Sequence, residues 1–348
     1  MQERFGSRGA LASRGPNDLQ NDVIVAQDTA SPPLAINLTA AIVALREDEP
    51  LILALRGDPR APAALPSGEF DPLRHRTFEI GLRAFVAQQS GAPIGYVEQL
   101  YTFGDRGRHA RAGDRDPHIV SIGYLALTRI GDKPLDGGGA YRSWYEFFPW
   151  EDWRGGRPEI IDAIILPNLR RWVEQAPDEV SSSGLSRQAR LNLLFRVQGR
   201  GFSEENVLER YELLYEAGLV EEALRDGREA ALRRPGLAPL GAAMRHDHRR
   251  ILATAMGRLR AKMKYRPVIF ELMPEQFTLT ELQRAVEAIS GRHLHKQNFR
   301  RLVEGSDIVE PSGEKSLKTG GRPAALFGFR RNVLQERSAP GLRLGIRS

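Results

Sequence analysis

Apolar positions along the chain change period several times, and each change marks an element. Residues 36–45 (INLTAAIVAL) and 51–56 (LILALR) are short apolar runs separated by the polar REDEP, the pattern of two strands joined as a hairpin. Loop residues follow from Gly57 to Gly68, and Phe78, Leu82, Phe85 and Val86 then recur at helical spacing before Gly91 closes the helix. Residues 97–103 (VEQLYTF) and 119–127 (IVSIGYLAL) predict further strands, separated by a polar loop of Arg, Asp and Gly from Gly104 to His118. A helix over IDAIILPNLRRWVEQ completes what reads as one mixed α/β domain, residues 32–175.

Residues 176–186 (APDEVSSSGLS) read as a linker, and 187–233 is helical in pattern with polar breaks at Gly199–Ser203 and Gly227. HDHRRILATAMGRLRAKMKY places Ile251, Ala255, Leu259 and Met263 on one helical face, which makes them packing residues. Further on, TLTELQRAVEAISG predicts a short helix with Leu279, Leu282, Val286 and Ile289 inward, Thr278 or Thr280 as N-cap and Gly291 at its end. HKQNFRRLVEG predicts a second helix that buries Phe299, Leu302 and Val303 and leaves Lys296, Gln297, Arg300 and Arg301 toward solvent. DIVEPSG and GRPAALFGFR then bracket a polar loop with Lys315, Lys318 and Arg322, a β-hairpin with basic residues at its tip. Helix, turn, helix and basic hairpin together predict a winged helix-turn-helix whose second helix enters a major groove. The expected organisation is a disordered tail (1–31), the α/β domain (32–175), a linker and helical insertion (176–250), the winged helix (251–331) and a second tail (332–348).

Charge sharpens this division. The 348 residues carry a net +6, yet residues 251–348 alone hold 18 Lys and Arg against 9 Asp and Glu. The rest of the chain is slightly acidic, so a polyanion partner is expected for the C-terminal part. The absence of cysteine excludes disulfide scaffolds, thiolate metal sites and thiol nucleophiles. No apolar run approaches the length of a membrane span, and the N-terminal stretch does not read as a secretory signal. His246 and His248 are too sparse for a metal site and are expected in solvent. Residues 141–153 (YRSWYEFFPWEDW) hold seven aromatics, expected as a core seam or domain contact, with a ligand-pocket wall as the alternative.

The stretch Leu65–Ala92 has the loop–helix–loop layout of a Nudix box and resembles it in frame rather than chemistry. With Gly91 as the closing Gly, Ala84 stands at the motif's Arg, Phe85 at the following Glu, and Gln88 and Gln89 at the next pair of Glu. Arg76 stands at an earlier Glu. A Nudix helix groups carboxylates to hold divalent metal ions that activate water, and neutral amides cannot supply that charge. Loss of hydrolysis is therefore expected, with no catalytic residues and no metal ligands. An ordinary amphipathic helix fits the same apolar spacing.

The surrounding residues resemble the Nudix-related transcriptional regulators of NAD metabolism, the NrtR-type family. The resemblance lies in Glu98–Asp105, Arg115-Asp116-Pro117, Val120–Leu127 and Trp150-Glu151-Asp152-Trp153. It continues in Tyr265-Arg266-Pro267, Phe270–Pro274, Phe277-Thr278-Leu279, Asn298–Arg301 and Gly321–Ala324. His118 replaces the family's usual Arg, and the helical stretch around 187–245 is not covered. The resemblance implies a Nudix-like α/β sandwich that senses ADP-ribose or a related NAD-derived nucleotide as effector, with no cofactor. It also implies a cytoplasmic, nucleoid-associated homodimeric repressor on a palindromic double-stranded operator. Arg56 and Arg115 are the candidate phosphate contacts, since guanidinium forks suit a diphosphate. Tyr101, Phe103 and Tyr124 are candidates for stacking on adenine, with strand core as the plainer reading. Lys296, Gln297, Asn298, Arg300, Arg301, Lys315, Lys318 and Arg322 are the candidate DNA contacts. Two other readings stand: a Nudix-type hydrolase using Glu79 or Glu98 with an accessory nucleic-acid-binding domain, and a constitutive DNA-binding protein without effector.

Overall fold

The structure is a computed structural model that describes residues 34–55, 61–105, 118–131, 135, 138–181, 184–195, 203–233, 236, 240–316, 323–336 and 341–342. The expected N-terminal tail (1–31) and Arg56, Arg115, Lys318 and Arg322 lie outside these residues. Strands β1 (Leu34–Arg46) and β2 (Glu49–Leu55) form the expected hairpin. The short β3 (Ser67–Glu69) pairs with the first half of β1, within a stretch the sequence had given to a loop.

Helix α1 (Phe78–Ser90) starts where Thr77 Oγ1 accepts from the Ile80 N–H, and it ends at Gly91 in left-handed conformation, φ 61°. Strands β4 (Val97–Phe103), β5 (His118–Leu127) and β6 (Gly139–Ser143) complete a sheet of order β4-β5-β1-β2-β6. β1 and β5 are parallel over ten residue pairs, and the other neighbours are antiparallel.

The continuous apolar runs of β1 and β5 follow from burial on both faces. Leu38, Ala40 and Ile42 pack with Ile122, Tyr124 and Ala126 beneath Leu82 and Val86 of α1. Ala41 and Val43 point the other way, with Phe103, Leu125 and Leu127, into the larger core. The aromatic segment 144–150 fills that core: Trp144, Phe147, Phe148 and Trp150 are wholly buried, as the core-seam reading expected.

The helix over residues 161–175 forms with a π turn (Ile161–Ile165) leading into α2 (Leu166–Gln175), where Pro167 removes a backbone donor. Helices α3 (Arg187–Phe195), α4 (Val207–Glu216), α5 (Glu221–Arg225) and α6 (Glu229–Leu232) follow. They are no solvated connection: Leu191, Phe195, Tyr211, Leu214 and Tyr215 are buried in the same core as the aromatic segment. Helix α7 (His248–Met263) lies between the sheet and these helices, against β1, β4, β5 and α4. The chain ends its described part with β7 (Gln276–Phe277), α8 (Leu279–Ser290), α9 (Lys296–Ser306), β8 (Val309–Ser316), β9 (Ala324–Phe329) and α10 (Val333–Glu336). A second sheet, β7-β9-β8, is antiparallel throughout.

Two expectations change. His248 is buried rather than solvated, because its Nδ1 accepts from the Leu65 N–H at 2.9 Å; His246 is exposed as expected. The segment read as a C-terminal tail buries Val333 and Leu342, and the Leu342 N–H donates to the Met263 carbonyl.

Gly257 sits inside α7, where glycine costs about 1 kcal/mol relative to alanine by helix propensity. A Cβ there would stand 2.5 Å from the Glu205 carbonyl oxygen, a backbone atom that cannot turn aside. Overpacking costs about 1–3 kcal/mol and wins over propensity. Gly257→Ala is therefore expected to lower the urea midpoint by the equivalent of about 1 kcal/mol; a raised midpoint would show that propensity dominates.

Candidate functional site

The candidate nucleic-acid interface is built from α8, α9 and the β8–β9 hairpin. Thr278 Oγ1 accepts from the Glu281 N–H (3.1 Å) while Glu281 accepts from the Thr278 N–H (2.7 Å), a reciprocal capping box that fixes where α8 begins. The turn to α9 is held by two side chains that sequence reasoning did not single out. Glu287 Oε1 accepts from the Leu294 N–H (2.7 Å) and from Gln283 Nε2 (3.0 Å), and Gln283 also donates to the Leu294 carbonyl (2.8 Å). Both polar groups of Leu294 are thus tied to α8, which fixes the angle at which α9 leaves. Their spacing, Gln at i and Glu at i+4 before a Gly stop, is a weak signal that many helices share.

In α9, Phe299 and Val303 are buried, and Lys296, Gln297, Asn298, Arg300 and Arg301 are all exposed. Lys296 with Arg300 and Gln297 with Arg301 form two columns at i,i+4 spacing, and the first turn holds no acid. Arg301 donates to Asn298 Oδ1 at 3.4 Å. This face offers guanidinium and amide groups, the donors and acceptors that match base edges and phosphates. In the hairpin, Lys315 is exposed but lies on strand β8 opposite Ala325, not in the loop, because pairing continues to Ser316↔Ala324. Lys318 and Arg322 lie outside the described residues.

In the first sheet, Tyr101 is 62% exposed and its ring meets Phe103 edge-on at 5.4 Å. Phe103 is buried beneath the Arg250 guanidinium, which sits 5.2 Å from the ring centre. Tyr124 is buried on the opposite face of the sheet, and its hydroxyl donates to Gln99 Oε1 at 3.3 Å. Burial pushes its phenol pKa up. The three aromatics are therefore not one stacking surface: Phe103 and Tyr124 belong to separate cores, and Tyr101 alone is open.

Of the positions compared with the Nudix frame, Gln89 is tied into the fold. Gln89 donates to the Ser67 carbonyl (2.7 Å) and accepts from the Ser67 N–H (3.2 Å), pinning β3 to the helix. Phe85 is half-buried, and Arg76, Ala84 and Gln88 are exposed. Glu79 pairs with Arg83 at 2.9 Å. Glu98 holds Lys262 at 2.8 Å, Arg258 at 3.2 Å and the Tyr96 hydroxyl at 2.9 Å. Among the described residues, no three His, Cys, Asp or Glu are grouped so as to hold a metal ion.

Residues 269–329 match the model of the NrtR DNA-binding winged helix domain. The chain is also similar, at 42% identity over 83 residues, to the ADPR responsive transcriptional repressor NtrR of Acinetobacter baylyi. Those residues are 24% of this chain, which spans about a third (33%) of the length of that curated relative. Among solved structures it is similar to Shewanella oneidensis NrtR, at 18% identity and TM-score 0.49 over 85% of this chain and 94% of that one. The same protein complexed with a 27mer DNA gives 18% identity and TM-score 0.47 over 86% and 95%.

The segment that matches the winged helix model is held from below by a buried junction. α8 ends with carbonyls that its own chain leaves open. Ala288 O accepts from the Tyr145 hydroxyl (2.7 Å), Ile289 O from Arg260 Nε (2.8 Å), and the carbonyl of the following Gly291 from the Trp153 N–H (2.7 Å). Arg260 also reaches Glu151 Oε2 at 2.8 Å, and Glu151 receives a two-pronged guanidinium from Arg210 of α4 at 2.5 and 2.7 Å. Glu151, Arg210 and Arg260 are all essentially inaccessible to solvent. Gly291, φ 70°, permits the approach, since a Cβ there would lie 2.4 Å from the Glu151 carbonyl oxygen. Sequence reasoning had Gly291 as a helix stop, Tyr145 in the aromatic segment and Glu151 and Trp153 in the family resemblance, but it singled out neither Arg210 nor Arg260 and gave none of these groups a place in a buried junction. The available signal was Arg249 and Arg260, three turns apart on the face of α7 that also carries Met256 and Met263.

Asp152, beside this junction, tests its electrostatics. Burial works against its charge, but hydrogen bonds and attraction from Arg154 prevail and hold the carboxyl below its usual range. A folded pKa below the unfolded one adds stability that is complete above about pH 4 and is lost as pH falls through the folded value. Wild type is therefore expected to be more stable than Asp152→Asn at pH 6, with the gap in urea midpoints closing toward pH 2.5. A gap independent of pH would show that the carboxylate charge contributes nothing.

Proposed function

We propose that the chain is a DNA-binding transcriptional repressor of NAD metabolism genes, whose α/β domain senses ADP-ribose or a related NAD-derived nucleotide without hydrolysing it. The observation that carries this reading is the exposed Lys/Arg/Gln/Asn face of α9, set on a segment that matches a DNA-binding winged helix family. The similarity to a repressor described as ADPR responsive supports the effector assignment. In this reading, residues 32–175 form a Nudix-like sensor and residues 251–331 the reader. The regulator acts in the cytoplasm, on the nucleoid, as a homodimer on a palindromic operator, because one winged helix covers few base pairs. Lys296, Gln297, Asn298, Arg300 and Arg301 contact the DNA from α9, and Lys315, Lys318 and Arg322 from the hairpin. Arg56 and Arg115 take the phosphates of the effector, and Tyr101 is the aromatic available to its base. Regulation is linkage: an effector that favours the arrangement unable to hold operator shifts the population away from DNA. In this chain the carboxylates open to a hydrolase reading, Glu79 and Glu98, are engaged with Arg and Lys partners, which favours sensing over hydrolysis.

The test is a mobility shift on the DNA upstream of the chain's own gene, titrated with ADP-ribose and with NAD at fixed salt, because phosphate contacts make affinity salt-dependent. A specific shift that ADP-ribose weakens is expected. Arg300→Ala and Arg301→Ala are each expected to cost about 5- to 100-fold in operator affinity where the guanidinium reads a base. Metal-dependent release of AMP from ADP-ribose would instead establish the hydrolase, and a shift insensitive to every nucleotide the constitutive binder.

A further inference from the structure

The helical insertion contributes Arg210 to a junction that otherwise joins the sheet domain to the reader. Four segments meet there: residues 145–153, the start of α4, the last turns of α7 and the end of α8. Arg210 lies against Glu151 through both prongs of its guanidinium and donates to the Ser203 carbonyl at 2.9 Å. Arg260 spans the same carboxylate, the Glu204 carbonyl (2.9 Å) and the Ile289 carbonyl of α8 (2.8 Å). A second bridge runs parallel, from Arg292 just after α8 to the Glu204 carboxylate at 3.0 Å. The insertion thus reaches the end of α8 by two routes, Arg210 through the buried Glu151 carboxylate and Glu204 directly to Arg292. A buried carbonyl that loses its donor stays unsatisfied until water reaches it, so small displacements of α8 are penalised and separation is all-or-none. The α9 face stays open in this docked arrangement, with Lys296, Gln297, Asn298, Arg300 and Arg301 all exposed.

We propose that Arg210 is a positioning residue for DNA recognition: through Glu151 and Arg260 it latches the end of α8 to the sheet domain, and the latched arrangement is the one that binds operator. This rests on the DNA-binding reading above. A latched reader holds α9 at a fixed place on the sheet domain, so two copies present their recognition helices at a fixed separation. Operator half-sites demand that separation, and non-specific phosphate contacts do not. Loss of the latch therefore lowers operator affinity while sparing affinity for unrelated duplex.

The experiment uses the full chain as wild type, Arg210→Met, Arg210→Lys, Tyr145→Phe and Arg190→Met. Arg190 pairs with Glu216 at 2.6 Å in the same insertion, away from the junction. Amide hydrogen exchange over residues 288–294 is followed together with mobility shifts on upstream DNA and on unrelated duplex. Arg210→Met is expected to speed exchange at 288–294 at least tenfold and to weaken operator binding at least tenfold, with unrelated duplex unchanged within twofold. Arg210→Lys recovers part of both effects. Tyr145→Phe, which removes one hydroxyl from the Ala288 carbonyl and leaves the charges in place, speeds exchange several-fold and keeps the test decisive if Arg210→Met does not fold. Unchanged exchange at 288–294 in both Arg210→Met and Tyr145→Phe would overturn the proposal, as would equal effects from Arg190→Met. If wild type does not prefer upstream DNA, the DNA-binding reading fails, and the exchange data still decide whether the latch exists.

Discussion

A single carboxylate, that of Glu151, sets the condition the rest of the structure must meet. It is withdrawn from water entirely, and a lone buried carboxylate is prohibitively costly, so its burial depends on the guanidiniums of Arg210 and Arg260. Two guanidiniums on one carboxylate leave an excess of donors, which the carbonyls of Ser203, Glu204 and Ile289 absorb. Removing one partner of such a group typically costs about 3–5 kcal/mol, a large part of the stability of a whole domain. Gly257 and Gly291 have the same origin: each stands where neighbouring backbone comes too close for a side chain. The segments supplying these groups are far apart in sequence, so the junction forms only when sheet, insertion and reader have all folded.

Helix α7 carries this constraint across the molecule. Near its start, Arg250 covers Phe103 and pairs with Asp105, two residues past β4, and with Glu212 of α4. Near its end, Lys262 and Arg258 take Glu98 of β4 while Arg260 takes the end of α8. Arg249 adds a second buried pair with Glu222 of α5 and donates to the Phe147 carbonyl. One side of the helix is therefore bound to the strand preceding the arginine-rich loop, and another to the reader. A rigid helix rather than a loop thus joins that strand to the end of α8.

What the sequence disclosed and what it hid divide along a physical line. The β1–β2 hairpin, the span of α1 with its Gly91 stop, and the α8–turn–α9 pair all announce themselves through local periodicity and caps, because their determinants lie within a few residues. The fate of the aromatics did not. Tyr101, Phe103 and Tyr124 look like neighbours on adjacent strands, but a register shift between Gln99 and Thr102 sends Phe103 to one core while Gln99 and Tyr124 face the other. Arg249 and Arg260 were hidden because helical patterning scores an arginine as polar and therefore as outward-facing. Only a carboxylate from another part of the chain makes such a residue an interior one.

Gln89 shows how a neutral amide becomes part of the fold. Its amide presents a donor to the Ser67 carbonyl and an acceptor to the Ser67 N–H, a pairing that only a group with both functions can make. A glutamate there keeps the acceptor but sets a second oxygen against the Ser67 carbonyl, so it repels one half of the contact it inherits. The side chain swings away and frees β3, or takes a proton and gives up the charge a metal ion would need. The amide that ties β3 to α1 and a carboxylate able to bind a cation are therefore mutually exclusive occupants of this position.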